Sequence, residues 1–372
     1  MMGKMKVIIT SPSLNTKENV SGISSATQFI IDNNVEVEYI HFELGKKDSE
    51  KGGWRRVSAL LRRYKAWRRL LKAEPDALVH YNFPLSKLSL LRDPWFIRCV
   101  LKGGRRMIVH VHGGLFLTAT NTPWLLKKIM RWVFKQNVPF VVLSDMEKDI
   151  LQERFGARRV FVLPNCVDLK DAKAYALEQE KAGKSLDAIS DNNKPLRIGY
   201  LGRIEPNKGM TELLEAAVRL KGDGVPFQLA FAGKEQKENE YLPLYESRLG
   251  NTFQYAGLVS GQSKRDFLRS LDVFILPSYF EGLPVALLET MSYGAVPVTT
   301  PVGSIPEIVA EDENGIFVKV KDSASIVSAV RKLCADRSML QRLSENARNT
   351  IFSRFSAEKY VQTLNTIYNT DI

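Results

Sequence analysis

Ser278-Tyr-Phe-Glu281-Gly-Leu-Pro284-Val-Ala-Leu-Leu-Glu289-Thr-Met-Ser-Tyr-Gly294 sets two carboxylates eight positions apart. Pro284 suits the first position of a helix, where a missing N–H costs nothing, and Gly294 suits a left-handed stop. This places Glu281 and Gly282 in the loop facing the helix N-terminus, whose unpaired N–H groups and dipole favour an anion. Glu289 then lies about five residues, or ~7.5 Å, into the helix, its side chain leaning back toward the same end. A phosphate at that mouth has an acid on either side. Such an arrangement suits a nucleotide sugar, whose diphosphate takes N–H donors while its sugar and ribose hydroxyls take carboxylate acceptors. The backbone N–H groups of Gly282, Leu283 and Val285 are the candidate phosphate donors; Pro284 has none. Ser278-x-x-Glu281 also fits a capping box, but Pro284 starts the helix after Glu281.

Outward from this stretch, β-rich runs and helical stretches alternate along both halves, predicting doubly wound parallel sheets. Arg203 and Lys208 follow a buried strand in Tyr200-Leu-Gly202-Arg203-Ile-Glu-Pro-Asn-Lys208-Gly209, on a loop leading into the helix from Met210. Two cations there stand outside the C-terminal edge of a sheet, where α/β folds bind ligands. An isolated R-x4-K reads more readily as a solvated pair, and the two glutamates downstream reverse that in favour of a diphosphate. His112 ends the strand Met107-Ile-Val-His-Val-His112 before Gly113-Gly114, which let a ligand approach the backbone. A histidine at a strand end also serves structural roles. His110 shares its face, but no carboxylate or cysteine stands near and no metal site is expected.

These segments together resemble the retaining glycosyltransferases of family 4, with their E-x7-E signature and GT-B fold. Residues 200–209 are similar to the family's G-R-x4-K-G loop. Leu163-Pro164-Asn165-Cys166-Val167-Asp168 resembles P-N-G-[IV]-D with Cys166 for the usual glycine, and Phe231-Ala-Gly233 and Tyr255-Ala-Gly257-Leu258-Val259 match two further strand ends. The resemblance spans residues 195–352 and is looser before them. It implies two Rossmann-like domains facing each other across a cleft. Residues 1–169 would bind the acceptor and 195–352 the nucleotide sugar, with 170–194 as the connection. The terminal helix, 353–372, would cross back to the first domain. It further implies that Glu281 holds the donor sugar, Glu289 the ribose diol, and Arg203 and Lys208 the diphosphate. Gly233, Leu258 and Val259 would lie in the nucleotide site, and His112 would reach the donor sugar. Gly22, in Val20-Ser-Gly22-Ile-Ser-Ser25, resembles the family's glycine loop near the diphosphate, one glycine of the pair being serine here; a plain tight turn fits it almost as well. No cofactor is expected. A nucleotide-sugar epimerase or phosphorylase on the same fold, and a non-catalytic basic binding partner, remain as alternatives.

Charge is unevenly shared. Residues 1–168 hold 28 Lys and Arg against 15 Asp and Glu, whereas residues 169–372 hold 25 against 26. The excess implies an anionic partner for the first half alone, and no nucleic-acid-binding motif accompanies it. Lys51–Lys72 carries nine bases and no acid. Trp54, Val57, Leu61, Tyr64 and Leu71 form its apolar stripe, and Arg55, Arg56, Arg62, Arg63 and Arg69 lie off it. It reads either as a core-packed helix with a solvated basic face or as a surface for anionic lipid. Trp124, Lys127, Lys128, Arg131, Trp132 and Lys135 repeat the combination. No run approaches the ~20 apolar residues of a membrane span, the opening strand lacks a signal-peptide pattern, and Cys99, Cys166 and Cys334 have no metal spacing. The expected setting is cytoplasmic, peripheral on the inner membrane face, with a lipid-linked glycan as acceptor.

Overall fold

The computed structural model describes residues 4–15, 21–45, 54–113, 115–119, 121–181 and 194–370. The chain forms two compact units, Met1–Asn165 with Glu358–Ile372, and Cys166–Ala357.

The first unit runs β1 (Met5–Ser11), α1 (Gly22–Asn33), β2 (Val37–Glu43), α2 (Trp54–Ala73), β3 (Leu78–Phe83), α3 (Lys87–Lys102), β4 (Met107–Val111), α4 (Leu115–Thr118), α5 (Trp124–Phe134), β5 (Phe140–Val142), α6 (Asp145–Asp149), a π-helical turn at Ile150–Arg154 and β6 (Val160–Val162). Its six strands are parallel in the order β2-β1-β3-β4-β5-β6. Helices cover both faces of such a sheet, so its inner strands are largely apolar: Val7, Ile8 and Ile9 are all fully buried. One face packs against Trp67, Leu71, Phe96, Met130 and Phe134. Trp67 packs tilted against Phe42 with ring centroids 4.8 Å apart, and its indole N–H donates to the Phe96 carbonyl at 3.3 Å, so its burial leaves no orphan donor. Burial of a side chain that large contributes about 3 kcal/mol.

The inward stripe of α2 is therefore Leu60, Tyr64, Trp67 and Leu71. Leu61, expected on that stripe, points outward, one residue around the helix from Leu60. Arg63 is not free for an outside partner either: it donates to the Gly45 carbonyl at 2.8 Å and pairs with Glu43 at 3.4 Å. The side chains of Trp54, Arg55, Arg56 and Val57 lie outside the described residues.

The second unit runs α7 (Lys170–Lys181), β7 (Leu196–Leu201), α8 (Met210–Gly222), β8 (Phe227–Ala232), α9 (Leu242–Leu249), β9 (Phe253–Tyr255), α10 (Gly261–Arg269), β10 (Val273–Leu276), α11 (Val285–Ser292), β11 (Val296–Thr299), β12 (Ile316–Phe317), α12 (Ser323–Ala335) and α13 (Arg337–Arg354). These strands too are parallel, ordered β12-β11-β10-β7-β8-β9. Residues 170–181, expected as connection, are helical and belong to this unit. Their buried face is made of Ala172 and Ala176, too small to mark an apolar period.

A last helix, α14 (Ala357–Asn369), buries Tyr360, Leu364, Ile367 and Tyr368. From Glu358 onward it belongs to the first unit. Tyr360 meets Phe29 of α1 edge-on at 5.9 Å, and the Arg106 guanidinium donates to the Tyr368 carbonyl at 2.7 Å.

Candidate active site

In the second sheet the chain leaves β7 toward β8 and β9, then returns to place β10 on the other side of β7. The switch point of the topology lies between β7 and β10, where open α/β sheets form their ligand crevice. The loops leaving these two strands carry Arg203, Lys208 and Glu281.

Glu281 is buried, and its Oε1 accepts two hydrogen bonds, from Lys208 Nζ at 2.6 Å and from Ser278 Oγ at 2.6 Å. Ser278 thus orients the carboxylate side chain instead of capping the helix, whose N-cap is Pro284 at φ −71°. The proline stands one position earlier than expected, and α11 opens at Val285. Carbonyl and hydroxyl contacts fix the loop behind Glu281. Thr300 Oγ1 donates to the Ser278 carbonyl at 2.6 Å, and Ser304 N donates to the Gly282 carbonyl at 3.1 Å. Gly303, at φ +58°, lets that second loop touch the Glu281 backbone: a Cβ there would come within 1.9 Å of the Glu281 carbonyl oxygen. Only glycine fits both the angle and the space.

Lys208 ends a 3-10 turn over Pro206–Lys208, and Tyr279 N donates to the Asn207 carbonyl at 2.9 Å, holding the two loops together. The Tyr200 hydroxyl donates to the Arg203 carbonyl at 2.5 Å. The Arg203 side chain is 61% exposed and reaches Glu205 only at 3.9 Å, so its charge is available to an anion. Glu289, one and a half turns into α11, pairs with Lys264 of α10 at 2.6 Å. Gly233 ends β8 at φ +137°, where a Cβ would meet the Gly202 carbonyl oxygen at 1.8 Å, so the strand ends β7 and β8 close on each other. Leu283 is buried, Gly282 and Val285 are half-buried, and Leu258 and Val259 follow β9 with Leu258 64% exposed. Gly294 ends α11 at φ +87°.

Sequence reasoning missed Ser278 as a partner of Glu281, Lys264 as a partner of Glu289, and Gly303. The glycine in Pro301-Val-Gly303 was the available signal for a close backbone approach. The ion pairs join residues 73 and 25 positions apart, beyond any local pattern.

In the first unit the switch point lies between β1 and β3, and His112 stands just past β4. Its ring is half-buried, stacks 4.2 Å from His110, and its Nε2 meets Asn82 Oδ1 at 2.6 Å. Behind it His110 Nδ1 meets His80 Nε2 at 3.1 Å, and His80 Nδ1 meets the Tyr368 hydroxyl at 2.6 Å. Burial drives all three imidazoles below their ordinary range, His112 to about 4 and His80 to about 3, so the column is neutral at physiological pH. Gly22 opens α1 with an exposed backbone; an added Cβ would touch nothing within 4 Å, and most of the preceding loop, residues 16–20, lies outside the described residues. Nothing in the backbone there demands glycine.

Comparison with known proteins bears on both units. Residues 184–350 match the family model of glycosyl transferases group 1, and residues 32–171 match that of glycosyltransferase family 4. A UDP-Gal:alpha-D-GlcNAc-diphosphoundecaprenol alpha-1,3-galactosyltransferase of Escherichia coli is 24% identical over 81% of this chain and 77% of its own. The capsular polysaccharide biosynthesis glycosyltransferase CapM of Staphylococcus aureus is 27% identical over 53% of this chain and 51% of its own, so the match spans about half of that relative. Among solved structures, sucrose-phosphate synthase of Thermosynechococcus elongatus superposes with a TM-score of 0.76 at 15% identity, covering 98% of both chains. HepE of Anabaena, in complex with UDP-glucose, gives 0.71 at 15% identity over 98% of this chain and 99% of its own. With two parallel sheets of this topology and both family models matched in order, the chain belongs to the family 4 glycosyltransferases of the GT-B fold.

Proposed function

We propose that the protein transfers a sugar with retention from a UDP-linked donor to a lipid-carried glycan, without a bound metal, in the assembly of a cell-surface polysaccharide. One observation carries this reading: a buried carboxylate, Glu281, fixed by Lys208 and Ser278 at the switch point of the second sheet. Two donors on one oxygen lock the rotamer, and a carboxylate's remaining lone pairs accept sugar hydroxyls. Lys208 keeps two further N–H donors for phosphate. With Arg203 and the N–H groups of Gly282, Leu283 and Val285 it offsets the charge that grows on the departing diphosphate. Glu289 accepts the ribose diol on the oxygen that Lys264 leaves. The acceptor hydroxyl forms the new C–O bond on the face from which the diphosphate departs. The old C–O bond breaks with its electron pair going to the diphosphate, which takes the acceptor's proton. No protein nucleophile enters. UDP and a diphosphate-lipid acceptor are named for the Escherichia coli relative, and polysaccharide assembly for the Staphylococcus aureus one.

The first unit supports a membrane-facing role at the cytoplasmic surface. α3 packs beside α5, and Leu88, Leu91 and Trp95 of α3 are exposed with Trp124 and Leu125 of α5. Asp93, the only acid in either helix, is buried against Arg92 at 2.5 Å, so only cations flank the apolar residues. Aromatic and basic residues together suit an anionic lipid interface. No described helix is long and apolar enough to cross a membrane.

The test is incubation of UDP-sugars with polyprenyl-diphosphate glycans in the presence of chelator, reading the anomer of the product. An α-linked product from an α-linked donor is expected; inversion, or activity restored only by a divalent ion, overturns the mechanism. An isomerised UDP-sugar formed without acceptor points to an epimerase instead. Glu281→Gln is expected to retain UDP binding and lose turnover by at least a hundredfold. On liposomes, Trp95→Ala with Trp124→Ala is expected to abolish sedimentation with anionic vesicles. Unchanged sedimentation removes the membrane role.

A further inference from the structure

Asn82 lies near the end of β3, beside the switch point of the first sheet, in a strand whose residues carry no pattern that marks it. Its side chain is buried and fully engaged. The amide Nδ2 donates to the Thr10 carbonyl at 2.7 Å and to Thr27 Oγ1 at 2.9 Å, and Oδ1 meets His112 Nε2 at 2.6 Å. The Thr10 carbonyl can only accept, so the nitrogen of the amide must face it, and a flip of the amide would set two acceptors together. Oδ1 therefore faces the imidazole. An amide oxygen only accepts, so His112 must supply the hydrogen from Nε2. The Asn82 backbone is pinned in turn, its N–H donating to Thr10 Oγ1 at 3.0 Å. Three elements thus converge on one amide: β1 through Thr10, α1 through Thr27 and β4 through His112.

We infer that Asn82 is a positioning residue that fixes His112 as the Nε2–H tautomer, leaving Nδ1 as a lone-pair acceptor for a hydroxyl of the bound donor or acceptor. This rests on the reading of His112 as a substrate-facing residue. Two features support it. The ring is held on two sides, stacked on His110 and hydrogen-bonded to Asn82. It does not carry charge, because burial holds it at about 4 and its neighbours on this face, His80, His110 and Tyr368, are uncharged too. A tautomer set by the hydrogen bond on the other nitrogen is the usual way a protein commits an imidazole to one role. His112 is then a neutral hydrogen-bond acceptor toward substrate, neither a cation for phosphate nor a proton donor.

Long-range 1H–15N spectra of the full chain labelled with 15N-histidine read the tautomer directly. The expected wild-type spectrum has His112 protonated at Nε2, and Asn82→Ala is expected to give a mixture of tautomers. Turnover should fall by about ten- to a hundredfold, the cost of one misdirected buried hydrogen bond, with donor KM nearly unchanged. Asn82→Asp keeps an acceptor oxygen opposite Nε2, with its second oxygen turned from the Thr10 carbonyl to accept from the Thr27 hydroxyl, and is expected to restore the Nε2–H form. It should also introduce a new ionisation into the pH–rate profile, because a carboxylate beside the ring raises its pKa. A wild-type spectrum with His112 protonated at Nδ1 overturns the inference. So does Asn82→Ala with an unaltered tautomer, or with unaltered turnover where His112→Ala is inactive. If His112→Ala and Asn82→Ala both turn over normally while the tautomer shifts, Asn82 still fixes the ring and the substrate-facing reading of His112 falls. Should Asn82→Ala not fold, the wild-type spectrum and Asn82→Asp decide alone.

Discussion

The two sheets place polar residues at equivalent points of their topology and solve the burial problem in opposite ways. The second unit puts charge at its switch point and neutralises it locally: Glu281 with Lys208, and Glu289 with Lys264. The first unit has no ion pair at its own switch point among the described residues. It has uncharged groups joined in series, Thr27 and Thr10 to Asn82 to His112, and Tyr368 to His80 to His110. A buried ion must have a partner or it unfolds the site, whereas a buried neutral group needs only a donor facing an acceptor. The charged crevice is suited to a diphosphate and the neutral one to hydroxyl groups. The contrast can be broken from either side.

The largest effect is expected from Lys208→Ala, which strands a buried carboxylate. Unfolding in urea should show the second unit less stable by about 3–5 kcal/mol, with transfer activity lost. Lys208→Met combined with Glu281→Leu removes both charges and should recover much of that stability while staying inactive. A Lys208→Ala variant as stable as wild type would mean that the pair is not buried as described. Next comes acid. The folded histidines lie well below their unfolded value of about 6.5, so the unfolded chain binds protons first. Stability is full above pH 6.5 and falls as pH drops toward 4, by roughly 1 kcal/mol per pH unit for each histidine. All four histidines lie in the first unit, so tryptophan and tyrosine probes there should melt first on acidification. Simultaneous loss of both units at pH 5 counts against the neutral column. The smallest effect is expected from Tyr368→Phe, which removes the hydroxyl facing His80 and should cost about 1 kcal/mol. A loss above 3 kcal/mol would show that the column depends on its far end far more than one hydrogen bond allows.

Much of this was legible in the residues. Short β-branched runs such as Val7-Ile8-Ile9 read as buried strands by their length and residue type, and the loop-to-helix step at Glu281, Pro284 and Gly294 is written in residues whose backbone preferences are strong. What was not legible depends on pairs distant in sequence or on which side of a helix meets the core. Arg63 finds Glu43 20 positions away. Leu60 and Leu61 are chemically identical and one turns inward, the other out. α7 hides its helical period because alanine carries so little apolar weight. Asn82 sits in Leu78–Phe83 beside His80 in an otherwise mainly apolar strand, and only the folded register, which pairs it with His110, shows what it faces.

The first unit is completed by residues that follow the second, from Glu358 onward. Synthesis delivers its six strands before Asn165, yet Tyr368 emerges some two hundred residues later, about 10–40 s at ordinary elongation rates of ~5–20 residues per second. Through that interval the face of β3 and β4 that carries His80 and His110 stands without its covering helix. Until then these imidazoles lack part of the burial that lowers their pKa in the folded chain, and the face they stand on is unfinished. Of the two units the one made earlier is the later to mature, and a chain cut before Tyr360 would fail there, far from the break.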